Sequence, residues 1–129
     1  MSGHDLSREL LDTARSDLKA IRNMLDPDAF DDRVFGFHAQ QAVEKALKAW
    51  LNIVQETHPF THDLSLLIHA LEEQGADVES CWDFLDLSGY AVRFRYETMQ
   101  EGEEPLERQE LVRDIGALIE RVENLLRHS

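Results

Sequence analysis

The sequence has few of the residues that crosslink, break or anchor a chain: one cysteine, three prolines and six glycines among 129 residues. A single cysteine, Cys81, cannot form an internal disulfide, which fits a reducing cytoplasm. No apolar run approaches the roughly 20 residues that span a bilayer, and the N-terminus lacks the basic start and apolar block of a signal peptide. We therefore expect a single cytoplasmic domain over residues 1–129, with no membrane segment.

Basic residues are also scarce, because 13 lysines and arginines face 26 acidic side chains and give a formal charge of −13. Such a balance argues against a protein that binds long nucleic acid through bulk positive charge, since phosphate contacts need lysine and arginine. The charge is uneven. Residues 1–60 hold ten acids and seven bases, whereas residues 61–129 hold sixteen acids and six bases. Most of the acidity therefore belongs to the second half.

Apolar residues recur at three- and four-residue spacing along most of the chain, and no stretch shows the two-residue alternation of a half-buried strand. This periodicity predicts an all-α fold, an antiparallel bundle of four to five helices. The helices are expected over roughly residues 5–25, 30–55, from Thr61 as N-cap to Gly75, 77–97, and after Pro105.

The second predicted helix carries a polar stripe. His38, Gln41, Lys45 and Lys48 are separated by three, four and three residues, so they share one face. They could line a groove, or they could form a solvated face with a Glu44–Lys48 pair. A second stripe consists of small residues that would let another helix come close: Ala39, Ala42, Ala46 and Ala49.

Two further clusters carry polar side chains that could act in binding. In "PFTHDL" at 59–64, Thr61 or Asp63 could cap a helix, and His62 and Asp63 could face the groove. In residues 90–97, Arg93, Arg95 and Tyr96 would lie near a helix end. There arginine offsets the helix dipole, but guanidinium beside phenol can also hold a phosphate.

Taken together, "FHAQQAVEKALKAWL" at 37–51, "PFTHDL" at 59–64 and "RFRYE" at 93–97 resemble the HEPN domain family, whose helical plan covers nearly the whole chain. The resemblance implies a four- to five-helix bundle that is commonly a homodimer. It also implies a minimal nucleotidyltransferase partner encoded beside it, in a two-component, toxin–antitoxin-like system.

Some members of that family are ribonucleases with an Arg-(four to six residues)-His motif late in the bundle. Here no histidine follows Arg93 or Arg95 within seven residues, so we expect no catalysis. Arg33 and His38 match the spacing only at the start of the second helix, which we interpret as coincidence. No pattern indicates a metal site or a cofactor; Pro59 between His58 and His62 rules out a two-histidine helix face.

The sequence thus favours a non-catalytic HEPN module that binds a nucleotide or its nucleotidyltransferase partner. The groove residues would be those of the three clusters, with Lys45, Lys48, Arg93 and Arg95 forming a local basic site for a phosphate. One alternative is a divergent ribonuclease toxin in which His38 or His62 replaces the missing histidine. The other is a dimerisation or docking module that uses the alanine stripe with Trp50 and Trp82.

Overall fold

The computed structural model describes residues 3–90 and 105–129, and all regular structure in these ranges is helical. Helix α1 spans Gly3–Arg22, α2 spans Asp32–Gln55 and α3 spans Leu64–Glu73; a 3₁₀ helix, η1, spans Glu79–Leu87, and α4 spans Arg108–Arg127. The predicted all-α class is confirmed. None of these described helices is both long and apolar enough to cross a bilayer.

Helix α2 is the centre of the bundle, because it contacts each of the other helical elements. Near one end of the pair, the Ser7 hydroxyl of α1 donates to the Ala49 carbonyl of α2 at 2.9 Å. Further along α1, Asp17 contacts His38 and Lys45, so α1 and α2 run antiparallel. Helices α1 and α4 are also antiparallel. Arg15 pairs with Glu123 at 2.7 Å, and the two chain ends meet at His4 and Ser129.

The alanine stripe of α2 packs inside the bundle, as its small side chains predict. All four side chains have 0% of their surface exposed, and Trp50 on the same helix has 3%. Trp82 is half-buried and its ring packs edge-on against His69. The alternative prediction was that the alanine stripe, with Trp50 and Trp82, forms an interface with another chain. It is wrong for the alanines and Trp50, because these side chains are already buried within the bundle.

Two predicted boundaries differ from the structure. Helix α3 begins at Leu64, because Asp63 is its N-cap and accepts from the Ser65 amide at 2.9 Å. Thr61 instead accepts from the Asp63 amide at 3.0 Å and closes the turn before the helix. The expected fourth helix begins as the 3₁₀ helix η1, and its predicted portion beyond Tyr90 lies outside the described residues.

Candidate functional site

A buried carboxylate, Glu44, organises the polar side of α2. The residue is 3% exposed, and its Oε1 accepts from Gln40 Nε2 at 3.0 Å while its Oε2 accepts from Lys48 Nζ at 3.0 Å. The imidazole Nδ1 of His62 lies 3.0 Å from Oε1 and 3.2 Å from Oε2. Gln40 and Lys48 reach Glu44 because they stand four residues before and after it on the helix.

These donors fix the charge of Glu44. Burial alone would raise the pKa of the carboxyl, but the hydrogen bonds from Gln40, Lys48 and His62 outweigh burial, and the pKa lies below its ordinary value. Glu44 is therefore a carboxylate at neutral pH. Its three charged or polar donors offset the free-energy cost of burying a charge.

The same helix holds the connection between α2 and α3, residues 56–63, which we call the clamped loop. Gln40 Nε2 also donates to the His62 carbonyl at 3.2 Å. At the other end of the loop, the buried Asn52 amide nitrogen lies 2.5 Å from His58 Nδ1. Burial, with a smaller effect of Lys48, lowers the pKa of His58 and favours the neutral ring. Because the amide nitrogen of Asn52 can only donate, Nδ1 of His58 is the acceptor of this bond. The loop is thus fixed at both ends.

Two of the exposed side chains of the clamped loop, Phe60 and His62, are suited to binding. Phe60 is fully exposed, at 106% of its reference surface, and the His62 side chain is 76% exposed. Because Glu44 occupies the Nδ1 side of the His62 ring, Nε2 is the nitrogen available to a partner or substrate. An exposed phenyl ring on a fixed loop is a feature of binding surfaces.

A second carboxylate, Asp17 of α1, holds the other half of the polar stripe. Its Oδ1 lies 3.1 Å from His38 Nδ1 and its Oδ2 accepts from Lys45 Nζ at 2.7 Å. Asp17 is 13% exposed in its side chain, so the pair lies partly buried between α1 and α2. Both lysines of the stripe therefore point their charge at a carboxylate, Lys45 at Asp17 and Lys48 at Glu44.

The residues of the predicted groove do not form one cluster. They lie in different environments. Gln41 donates from Nε2 to Gln40 Oε1 at 2.7 Å. Asp63 directs Oδ1 to the Ser65 amide and hydroxyl as a helix cap. Arg93, Arg95 and Tyr96 lie outside the described residues.

The periodicity of α2 placed His38, Gln41, Lys45 and Lys48 on one face of the helix. It did not identify the carboxylates that contact His38 and the two lysines. The Glu44–Lys48 pair was visible as an i, i+4 spacing, and Gln40 at i−4 from Glu44 was an available signal. Asp17 had no such local signal, because it meets α2 only through tertiary packing. Asn52 likewise had no local signal, because its contact with His58 depends on how the loop folds back on α2.

Other reactive groups offer little chemistry. Cys81 is 1% exposed, and burial raises the pKa of its thiol to about 11, so it packs as a neutral core side chain. Within the ranges that the structure describes, no three His, Cys, Asp or Glu side chains are grouped so as to hold a metal ion.

The family model described as HEPN domain matches residues 7–125, nearly the whole chain. No curated protein and no solved structure matches the sequence. The family match agrees with the helical bundle and covers the whole site on α2 and the clamped loop. This chain belongs to the HEPN domain family.

Proposed function

We propose that this HEPN chain is a non-catalytic binding module whose clamped loop engages a protein, the minimal nucleotidyltransferase of a two-component, toxin–antitoxin-like pair. The observation that carries the proposal is the display of Phe60 and His62 by a loop whose ends are fixed. A rigid loop loses little conformational entropy on binding, so an exposed aromatic side chain on it is a favourable anchor.

The charges of the site favour a protein over a free nucleotide. A phosphate needs cations that are not already neutralised, yet Lys45 and Lys48 each contact a carboxylate within 3.0 Å. An incoming phosphate would also meet the charges of Asp17 and Glu44. With the cations that the described part of the chain offers here, a nucleotide could therefore bind only by displacing an existing ion pair, which makes the protein partner the stronger half of the proposal.

The test measures binding of the full chain to the nucleotidyltransferase encoded beside it, by co-purification and isothermal titration. Phe60→Ser and His62→Ala should each weaken binding about tenfold or more, as anchor residues do. Leu125→Ser and His128→Ala remove exposed side chains on or next to α4 and serve as matched controls that leave affinity unchanged. Equal affinities of the wild type, the two loop variants and the two control variants for the transferase would contradict the proposal.

A parallel titration addresses the nucleotide. With ATP and magnesium at millimolar concentration we expect neither heat nor a shift in melting temperature. A stoichiometric heat of binding that disappears in Lys45→Ala and Lys48→Ala would instead favour the nucleotide over the protein partner as the ligand, with its phosphate bound on α2.

A second candidate function, a divergent ribonuclease, is favoured by one observation. Glu44 is 4% exposed in its side chain and contacts Nδ1 of the exposed His62 imidazole, the arrangement that orients a histidine as a general acid or base. Strong expression of such an enzyme should slow growth of a host, and His62→Ala should restore it. Normal growth with soluble wild-type protein would exclude this candidate.

A further inference from the structure

The two ends of the clamped loop are held by different kinds of contact. At the His62 end, Gln40 Nε2 donates to the backbone carbonyl of His62 at 3.2 Å, and the ring Nδ1 lies 3.0 Å from the Glu44 carboxylate. Next to them, the Asp63 side chain caps α3. A carbonyl accepts whatever the charge of the ring, and an imidazolium can still donate to a carboxylate. This end therefore keeps its contacts whether His62 is neutral or protonated.

The His58 end depends on a single buried partner. Within the described ranges, two side-chain hydrogen bonds join residues 56–60 to α2. One runs from Gln55 Nε2 to the Thr57 carbonyl at 3.1 Å and is exposed, so water can replace it at little cost. The other joins Asn52 Nδ2 to His58 Nδ1 at 2.5 Å, and Asn52 has 0% of its surface exposed. Loss of that bond would leave residues 56–60 without a buried hydrogen bond to the helix.

The amide of Asn52 cannot turn over to suit a protonated His58. Its Nδ2 also donates to the Lys48 carbonyl at 2.8 Å, and a flipped amide would place Oδ1 against that carbonyl, with two acceptors facing each other. Asn52 therefore offers His58 only an N–H group. A protonated imidazole carries hydrogen on both nitrogens, so its Nδ1 would meet Asn52 donor to donor. The bond exists only while the ring is neutral.

The charged groups that act on His58 are Lys48 and Glu44 of α2, and they act with opposite signs. Burial and Lys48 lower the pKa of His58 by more than Glu44 raises it. The Glu44 carboxylate already accepts from Gln40, Lys48 and His62, with two donor contacts on each oxygen. The surroundings of His58 therefore favour its neutral form.

The loop also begins with a strained residue. Glu56, the C-cap of α2, has φ 63° and ψ 7°, in the left-handed region that a residue with a Cβ rarely adopts. It is the one non-glycine residue of the described ranges with a positive φ. Such a conformation persists where the surrounding contacts hold it. Residues 56–60 are therefore kept in the clamped form against a local backbone cost, which their release would relieve.

We propose that the Asn52–His58 hydrogen bond is a proton-sensitive latch on the clamped loop. Protonation of His58 breaks the bond and releases residues 56–60 from α2, while residues 61–63 remain held. Phe60, which is fully exposed, then changes from a rigidly presented ring to a mobile one. The proposal concerns the motion of the loop itself, so it holds whether or not the loop binds a transferase.

Nitrogen-15 relaxation of the full chain tests the latch, recorded while the pH is lowered from 7.5 until the His58 ring resonance has titrated. We expect backbone order parameters in residues 56–60 to fall from about 0.85 to below about 0.6, whereas those of residues 61–63 and of α1 stay unchanged. The midpoint of this change should coincide with the titration of the His58 ring. Order parameters that stay near 0.85 in residues 56–60 after the ring has titrated would overturn the proposal.

Three variants separate the latch from general effects of pH. His58→Asn places an amide oxygen near the position of Nδ1, which accepts from Asn52 at every pH, so residues 56–60 should stay rigid throughout. Asn52→Ala removes the donor, so the same residues should already be mobile at pH 7.5. His128→Asn replaces an exposed histidine just after α4 and should reproduce the wild-type response. A pH response of His58→Asn equal to that of the wild type, or a rigid loop in Asn52→Ala, would also contradict the latch.

Discussion

Glu44 illustrates how a single acidic residue can be buried in a small bundle. Its side chain is 4% exposed, and each of its oxygens has at least two donor contacts drawn from Gln40, Lys48 and His62. Two of these donors come from α2 itself and the third comes from the clamped loop. The carboxylate therefore links the loop to the helix, and its removal affects both.

We expect Glu44→Gln to lower the free energy of unfolding by roughly 2–4 kcal/mol, because it leaves the largely buried Lys48 ammonium without its counter-charge. Urea unfolding monitored by circular dichroism measures the change. Glu9→Gln, an exposed change on α1, should stay within about 0.5 kcal/mol of the wild type. A similar small effect for both variants would mean that Glu44 contributes no net stability.

His58 gives the fold a pH dependence of definite sign. Its pKa is lowered from 6.5 in the folded chain, so the unfolded chain binds a proton more readily. The stability that His58 contributes is complete above pH 6.5 and is lost as pH falls from there through the lowered value. Burial and the positive charge of Lys48 lower the pKa of His58, and together they outweigh the negative charge of Glu44, which raises it.

The measurement compares wild type with His58→Asn, which cannot titrate in this range. The free energy of unfolding of the wild type, relative to the variant, should decline as the pH is lowered from 7 to 5. Nuclear magnetic resonance of the His58 ring provides a direct check. Parallel pH curves for the two proteins would show that protonation of His58 is not linked to folding.

At the scale of elements, Arg108 at the start of α4 holds the connection between α1 and α2. Its guanidinium donates to the carbonyls of Met24 and Phe30, each at 2.6 Å, and pairs with Asp32 at 2.9 Å. It also lies 5.0 Å from the centre of the Phe35 ring. One side chain thus joins α4 to the loop and to the first turn of α2.

Arg108→Ala should cost about 3–5 kcal/mol of stability, because it leaves buried carbonyls and the Asp32 carboxylate without their donor. Arg108→Lys should recover only part of the loss, since one ammonium cannot reproduce the two-nitrogen geometry. Arg113→Ala, an exposed arginine of the same helix, is the matched control and should change stability by less than about 0.5 kcal/mol. Chemical unfolding checks all three, and a loss of under 1 kcal/mol for Arg108→Ala would refute this role.

The elements show what a local pattern can predict. The periodicity of α1, α2 and α4 indicated these helices to within a few residues, because their apolar faces are long and regular. The predicted start of α3 was wrong by two residues, since Thr61 and Asp63 are both good caps and only packing decides between them. The spacing alone places the stripe of α2 on one face of the helix, but Asp17, which contacts His38 and Lys45, depends on tertiary contact and has no local signal.

Packing also explains why a helix can carry a glycine in its core. An added Cβ at Gly36 would lie 2.4 Å from the Tyr90 ring, so the glycine lets the aromatic side chain rest against α2. Tyr90 is 5% exposed in that position. The sequence showed a glycine within an otherwise regular helix, but the ring that requires it is 54 residues away.

At the scale of the whole molecule, burial and charge together limit how copies of the chain can associate. The alanine stripe is buried in the interior, so it is not available for contact with a second copy. The formal charge of −13 makes two copies repel each other. The homodimer that the family resemblance implies must therefore use another surface and overcome that repulsion. Repulsion between like charges weakens as salt shortens the Debye length from about 10 Å at 0.1 M to about 3 Å at 1 M.

We expect sedimentation equilibrium at tens of micromolar protein to show a dimer whose dissociation constant falls several-fold as sodium chloride rises from 50 to 500 mM, because screening removes the repulsion. The variant Glu9→Gln/Glu72→Gln/Glu73→Gln has less charge to screen, so its dependence on salt should be shallower. A monomer at 500 mM salt would contradict the dimer. A dimer that weakens with salt would indicate ion pairs across the interface, and the repulsion argued here would then not be the dominant force between the copies.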